Sequence, residues 1–471
     1  MMTIKSSSDT RDTPLESAAT EAPATPQPID AEQMRPPNSS TFWYEQIAHN
    51  GQSPFIPGGA RWKVFRNVVS DYGADNSGRT DSAGAFIKAI IDGAPTEFRR
   101  DANQLGTTGQ PAVIYIPKGT YLINSPLQLY LGTVLMGDPL HPPILKAGPS
   151  FQGDTLIYGK DPHQYSTTNF YLSIKNLQLD STGLNKDKDF TLLDWSVSQA
   201  TQLANLVFNM PNYSAGHTGI NMKYDGGGSG TYMGDLTFNG GANGIIMINQ
   251  QYEIKSATFN GCTTAIRIDH CFECVFIDIV FMNTGTGIDM TKPGPDAVGS
   301  VLLIDSTASN TDTVIRTLQQ TTGDHSLVVQ GFTLGSGVNS VVSASGDSIL
   351  SKSMPDVWVY GNAYTPDGPT TSSHQAGTVY SIPKPVSLLV DGKYFTKPPP
   401  TYQEHDVTQV LNVKQVPNYP VQGDGRTDDT ANLNAIISTN AGSKILFFPH
   451  GTYIVTDTLF FPPGARVVGE A

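Results

Sequence analysis

Leu206-Val207-Phe208, Leu236-Thr237-Phe238, Ala257-Thr258-Phe259 and Ile279-Val280-Phe281 are four short apolar stretches, each closing on a phenylalanine. Their Phe residues lie 30, 21 and 22 residues apart. A Gly/Ala-Ile pair comes after each one: Gly219-Ile220, Gly244-Ile245, Ala265-Ile266 and Gly287-Ile288, separated by 25, 21 and 22 residues. Asn-Gly or Thr-Gly turns sit between them. A unit of about 22 residues that lays one apolar strand on the strand before it is a coil of a parallel β-helix. A sandwich would instead show hairpin turns every ~8–12 residues. The four Phe are therefore read as a stacked core ladder, not a ligand box.

A longer repeat brackets these coils. The first copy runs through Gly73-Ala74-Asp75, Gly78-Arg79-Thr80-Asp81, a helix-like Ala85-Phe86-Ile87-Lys88-Ala89-Ile90-Ile91, and Ile116-Pro117-Lys118-Gly119-Thr120-Tyr121. The second runs through Gly423-Asp424-Gly425-Arg426-Thr427-Asp428, Leu433-Asn434-Ala435-Ile436-Ile437 and Phe448-Pro449-His450-Gly451-Thr452-Tyr453. Asp81 and Asp428 are placed to cap a short amphipathic helix that covers the open end of a stack of coils. The Pro-x-Gly-Thr-Tyr segment ends one strand in a tight turn and starts the next. Each copy thus reads as the start of a domain.

These repeats divide the chain into four parts. Residues 1–40 are rich in Ser, Thr, Pro, Ala, Asp and Glu and poor in aromatics, a disordered composition. They show no apolar signal-peptide core. A first β-helix is expected over 41–365, a Pro-rich linker over 366–405, and the start of a second β-helix over 406–471. Coils come after the first copy but none after the second, so the chain is expected to be a truncated piece. The formal charge is −13 and the pI near 5.0. That disfavours nucleic acid and anionic membranes, which need basic patches, and polyanions such as pectate unless a cation bridges. No apolar run approaches the ~20 residues of a membrane span. Gly (46) and Pro (33) together exceed the usual share of about 12%. Cys262, Cys271 and Cys274 make no disulfide framework. They are read as buried thiols or as one incidental disulfide. No metal site and no cofactor is expected.

Further motifs carry a family resemblance: Phe42-Trp43-Tyr44-Glu45, both Pro-x-Gly-Thr-Tyr units, Asp194-Trp195-Ser196-Val197-Ser198-Gln199-Ala200-Thr201, and Gly228-Ser229-Gly230 with Asp235-Leu236-Thr237-Phe238-Asn239-Gly240-Gly241. With these the sequence resembles glycoside hydrolase family 55, the mostly fungal exo-β-1,3-glucanases, over about residues 42–471. The repeated unit alone would indicate only the wider pectate-lyase-like superfamily. The resemblance implies an all-β fold, a right-handed parallel β-helix with a short capping helix, and a second β-helix beside the first. It implies a cleft between them where glucose is removed from the non-reducing end of β-1,3-glucan with inversion. It further implies a secreted, extracellular, monomeric hydrolase.

Inversion needs a protonated carboxyl at the leaving oxygen and a base-activated water on the opposite face. The family's general acid is a Glu late in the second β-helix, and no residue here matches it. Gln199 and Ser229 match the positions that hold the attacking water. An amide and a hydroxyl can orient a water but cannot protonate a leaving group. Trp195 is the candidate platform for a glucose ring. Asp225, Asp235, Asp269, Glu273 and Asp278 read as scattered, solvated carboxylates. Asp269 and His270 are strand neighbours facing opposite sides, and His217 reads as a turn residue. Two alternatives remain at this stage. One is a pectin-active enzyme, although the Asp cluster and the His-Gly and Arg-Ile-Lys motifs of galacturonases, and the acidic cluster and Arg base of lyases, are not found. The other is a non-catalytic glycan-binding or scaffold protein.

Overall fold

A computed structural model describes residues 41–56, 59–93, 109–223, 231–294, 298–319, 325–351, 354–363 and 373–470. The Phe ladder is the spine of the structure. Phe208 and Phe238 stack at 4.6 Å, Phe238 and Phe259 at 4.7 Å, and Phe259 and Phe281 at 5.9 Å between ring centroids. The strands that carry them, Thr201–Asn209, Thr231–Asn239, Gln251–Asn260 and Thr264–Met282, pair in parallel and in register. Leu193, Ile220, Ile245, Ile266, Ile288 and Ile315 line up on the opposite wall. The two expected periods are thus two walls of one parallel β-helix. Its interior is apolar: the ladder Phe and these Ile are fully buried. Outside, an asparagine ladder runs beside the Phe strands, with Asn239 Nδ2 donating to Asn209 Oδ1 (2.9 Å) and Asn283 Nδ2 to Asn260 Oδ1 (2.9 Å).

Each long strand bends at one residue with positive φ: Asn176 (59°), Asn205 (52°), Asp235 (57°), Ser256 (53°), Asp278 (57°) and Asp305 (51°). The residues flanking these are register partners, so the six form a column along one corner. Asn and Asp tolerate this left-handed region better than other non-glycine residues. One such residue breaks the two-residue alternation, so Leu203 and Leu206, three apart, both point inward.

The repeated unit folds the same way twice. In the first copy Ala112–Ile116 pairs with Phe65–Asn67 and Thr133–Gly137, while Ser77–Asp81 pairs with Thr120–Ile123. In the second, Ile445–Phe448 pairs with Val410–Asn412 and Arg466–Gly469, while Asp424–Asp428 pairs with Thr452–Ile454. The helices are Ala83–Ile91 and Thr430–Asn440. Asp81 and Asp428 do accept the first helical N–H, from Ala83 and Thr430, each at 3.0 Å. They stand one residue ahead of the N-cap positions, which Ser82 and Asp429 occupy. The Phe42-Trp43-Tyr44 segment packs between the copies: it shares one apolar cluster with Val113 and Tyr115 of the first and Ile445 and Phe447 of the second. Tyr44 Oη donates to Glu470 O (2.8 Å).

Two expectations change at the end of the coils. The parallel walls continue to Ser326–Gln330 and Ser340–Ala344 and are then closed by antiparallel strands, Asp347–Leu350, Val357–Ala363 and Ser373–Tyr380. Val357–Ala363 covers the edge of Ser326–Gln330, and the stretch expected as linker contains a strand, Ser373–Tyr380, that pairs in turn with Val357–Ala363. Residues 384–394 then run back along the corner column. Asp305 is buried there and accepts from Lys384 Nζ and Tyr394 N (2.7 Å), and Lys393 Nζ lies 3.9 Å from Asp278 Oδ1.

Candidate functional site

A β-helix wall shows its outer face as columns of every second residue. On the wall that begins each Phe strand, one outward column is Ser173, Gln202, Tyr232, Glu253 and Val275, each the register partner of the next. Lys175, Ala204, Gly234, Lys255 and Ile277 form the column beside it, and the corner column with Asp235 is adjacent.

Tyr232 is the centre of this face. A Cβ at Gly234 would fall 2.3 Å from Tyr232 Oη and 2.7 Å from Cζ. The ring therefore lies along its own strand, in space that only glycine leaves free, and it stays partly open to solvent. Burial, then the nearby Asp235 and Glu253 carboxylates, push its hydroxyl up to about 12. Asp235 is held above the usual carboxylate range, first by partial burial and then by Asp278. Ser256, between those two aspartates, donates to Asp278 Oδ2 (2.9 Å). Ser173 Oγ reaches Gln202 Oε1 (3.4 Å), and Lys255 Nζ pairs with Glu253 Oε1 (2.7 Å). Burial lowers the Lys175 ammonium. The face thus offers an aromatic plane, an amide, carboxyl groups and two lysines to a polyhydroxylated ligand.

Gln199 lies on the loop that feeds this wall, three residues ahead of Gln202, and is half-buried. Its Oε1 is 2.5 Å from Ser198 Oγ, whose single proton is shared with Thr167 O (3.0 Å). Asn249 Nδ2 donates to Val197 O (3.2 Å) and ties this loop to a later coil. Ser229 lies outside the described residues, as does Asp225. Thr201 and Thr231 are register partners, each two residues after Gln199 and Ser229, and their hydroxyls are 3.0 Å apart.

Three expectations are corrected by burial and register. Trp195 is fully buried among core residues, so no face of its ring is open to a sugar. It turns the chain from one wall to the next, and the apolar interior claims it. Asp194, beside it, is also buried, is raised by that burial, and accepts from Ser196 Oγ (2.6 Å). His217 is no turn residue: it sits fully buried in the strand His217–Asn221, with Nε2 against Asn185 O (2.9 Å) and Nδ1 against Ser181 Oγ (2.9 Å). Asp235 and Asp278 are not scattered but share one column. Of the two cysteine readings, a disulfide joins Cys271 and Cys274, and Cys262 is buried and free. Asp269 is engaged by Arg267 (2.6 and 3.0 Å). Among the described residues no group of three or more His, Cys, Asp or Glu is placed to hold a metal ion. No helix among them is long and apolar enough to cross a membrane.

Similarity to known proteins agrees with this architecture. Over 461 residues the chain is 33% identical to a glucan 1,3-beta-glucosidase of Cochliobolus carbonum, covering 94% of this chain and 57% of that protein. It is 34% identical to the non-secreted LysM effector LysM19 of Penicillium expansum, covering 94% of this chain and 36% of the effector. It is 29% identical to a probable glucan endo-1,3-beta-glucosidase of Arthroderma benhamiae, covering 94% and 62%. The chain thus spans between about a third and three-fifths of these relatives' own lengths. The rhamnogalacturonase A/epimerase, pectate lyase-like family matches residues 65–289 and 412–471. The first match covers the opening unit and its stacked coils and the second covers the repeated unit, so the chain belongs to the rhamnogalacturonase A/epimerase, pectate lyase-like family.

Proposed function

We propose that this chain forms a glucan-binding wall of a β-1,3-glucan hydrolase. The enzyme is exo-acting, inverting and monomeric and works outside the cell. The observation that carries this reading is the Tyr232 ring laid flat over Gly234, with Gln202 and Asp235 beside it. Sugars present apolar ring faces and a rim of hydroxyls; an aromatic plane takes the first, and amide and carboxyl groups take the second. The low charge and acidic balance suit a neutral polymer better than a pectin. The glucanase names of two relatives support the same substrate class.

Within an inverting scheme, Gln199 orients the attacking water by its amide, and Ser229 is its proposed companion. Neither supplies the proton for the leaving oxygen. No carboxyl of this chain is assigned as that acid. Asp235, held toward its protonated form, serves as a hydrogen-bonding group for a sugar hydroxyl.

Affinity electrophoresis in laminarin tests this reading. The wild-type protein is expected to be retarded by laminarin and not by polygalacturonate, and Tyr232→Ala to lose most of the retardation. Retardation by polygalacturonate alone, or a Tyr232→Ala protein that behaves as wild type, would overturn it. Glucose release from laminarin by the same protein separates a working hydrolase from a binding wall.

A further inference from the structure

The turn after Phe208 is longer than those after the other ladder phenylalanines. Ile220, on the next wall, comes twelve residues after Phe208, whereas Ile245, Ile266 and Ile288 each come seven after Phe238, Phe259 and Phe281. The five extra residues make a small protrusion between the two walls, and its feet are fixed. Met210 N donates to Asn239 O (2.9 Å), and Pro211 O accepts from Gly241 N (3.1 Å). Ser214 is buried, donates to Lys186 O (2.6 Å) and accepts from His217 N (2.9 Å). Between these anchors Asn212 and Tyr213 form the tip, and both are exposed. Tyr213 takes a φ of 54°, the left-handed conformation of a tight turn.

Tip and foot read Asn212-Tyr213-Ser214, the Asn-x-Ser pattern that accepts an N-linked glycan. The sequence holds one other such triplet, Asn38-Ser39-Ser40, outside the described residues. Neighbouring asparagines are engaged within the coils: Asn239 bonds Asn209 (2.9 Å), and Asn205 bonds Asn176 (3.0 Å). No described residue hydrogen-bonds the Asn212 amide. A glycan there meets solvent and displaces no such contact. It also stands off the glucan face. Asn209, three residues ahead of Asn212, is the register partner of Asn239, and Asn239 ends the strand that Tyr232 begins.

We propose that Asn212 is an N-glycosylation site, with a lipid-diphosphate-linked oligosaccharide as the donor. The bond from Asn212 Nδ2 to the anomeric carbon of the first sugar forms, and the bond from that carbon to the diphosphate oxygen breaks. The lipid diphosphate leaves, and the amide gives up one proton to solvent. The Ser214 hydroxyl that completes the acceptor is closed off in the folded coil, so attachment precedes the docking of Ser214 on Lys186. This rests on the extracellular part of the reading above, because the donor is met on the secretory route.

The full chain, directed into the secretory route of a yeast by a cleavable leader, tests the proposal. Asn38→Gln is the background throughout, so that one triplet is read. Retained and secreted protein are both treated with peptide N-glycosidase, which removes the glycan and leaves an acid in place of the amide, and both are weighed by mass spectrometry. In the Asn38→Gln protein the enzyme is expected to lower the mass and to mark the peptide that holds residue 212. With Asn212→Gln added, no mass is expected to be lost. With Ser214→Thr added, which keeps the hydroxyl, the glycan is expected to remain. Laminarin retardation is expected to be the same with and without the glycan. An unmodified Asn212 in the leader-directed protein, or a glycan that persists in Asn212→Gln, overturns the proposal. A glycan at Asn212 in yeast, with none on protein from its natural source, overturns the extracellular reading and leaves the acceptor site standing.

Discussion

Phe238 is stacked on both sides, by Phe208 at 4.6 Å and 4° and by Phe259 at 4.7 Å and 5°. Phe281 has one such neighbour, Phe259, at 5.9 Å and 20°, and faces Ala308 on the other side. Both are fully buried. Replacing either by leucine removes similar apolar area, so the transfer contributions nearly cancel between the two variants. What differs is stacking: Phe238→Leu loses two close contacts and Phe281→Leu loses one looser contact. At ~0.5–1.5 kcal/mol per aromatic pair, Phe238→Leu is expected to be the more destabilising by about 1 kcal/mol. Phe238→Ala, which adds a cavity, is expected to cost ~3–5 kcal/mol. Urea unfolding monitored by circular dichroism gives these differences as midpoint shifts, with the slope checked for constancy because coils can unfold stepwise. Equal midpoints for the two leucine variants, or a loss below about 1 kcal/mol for Phe238→Ala, would refute a core held by a continuous ladder.

Other consequences are independent of this one. Gly234→Ala places a methyl where Tyr232 Oη lies, so the ring must lift; laminarin retardation should fall while stability stays within about 1 kcal/mol, since the ring is partly exposed. His217 is held neutral, its basicity lowered chiefly by burial below the ordinary 6.5. The unfolded chain takes up that proton near pH 6.5, so the stability linked to this group is complete above about pH 7. It is lost as pH falls below that, by at most ~1.4 kcal/mol per pH unit. His217→Gln should flatten this part of a stability-against-pH curve relative to wild type. Asp305→Asn leaves Lys384 without its buried carboxylate, a change costing up to ~3–5 kcal/mol. It should also open residues 384–394 to limited proteolysis before the coils unfold.

The coils were legible because a β-helix writes its period into the sequence: Phe on one wall and Ile on another recur with each turn, and both columns stack where the spacing puts them. Gln199 was nominated from the resemblance of the loop motif around it, and the structure places it half-buried on the loop that leads to Gln202. The packing of Tyr232 against Gly234 and the place of Asp235 in the corner column were not read from the sequence, although the signal was present. The residue three ahead of each ladder Phe is Asn205, Asp235, Ser256 or Asp278, a recurring polar position that marks the strand bend. Counting back three more from Asp235 gives Tyr232. Trp195 and His217 were misplaced for one shared reason. Both lie next to polar, turn-like sequence, and only the three-dimensional closure of the coil decides which side chains turn inward. The antiparallel strands after Ser340–Ala344 carry no period of their own: the first two fall within the segment expected as β-helix, and only Ser373–Tyr380 lies in the Pro-rich stretch expected as linker.

The central claim is that a glucan lies on the outer face of one wall. A crystal of the protein soaked with laminarihexaose tests this most directly. Sugar density stacked on Tyr232 and lying over its register partners Gln202 and Glu253 is the predicted result. Density seated on another wall of the β-helix, with Tyr232 left bare, would contradict it.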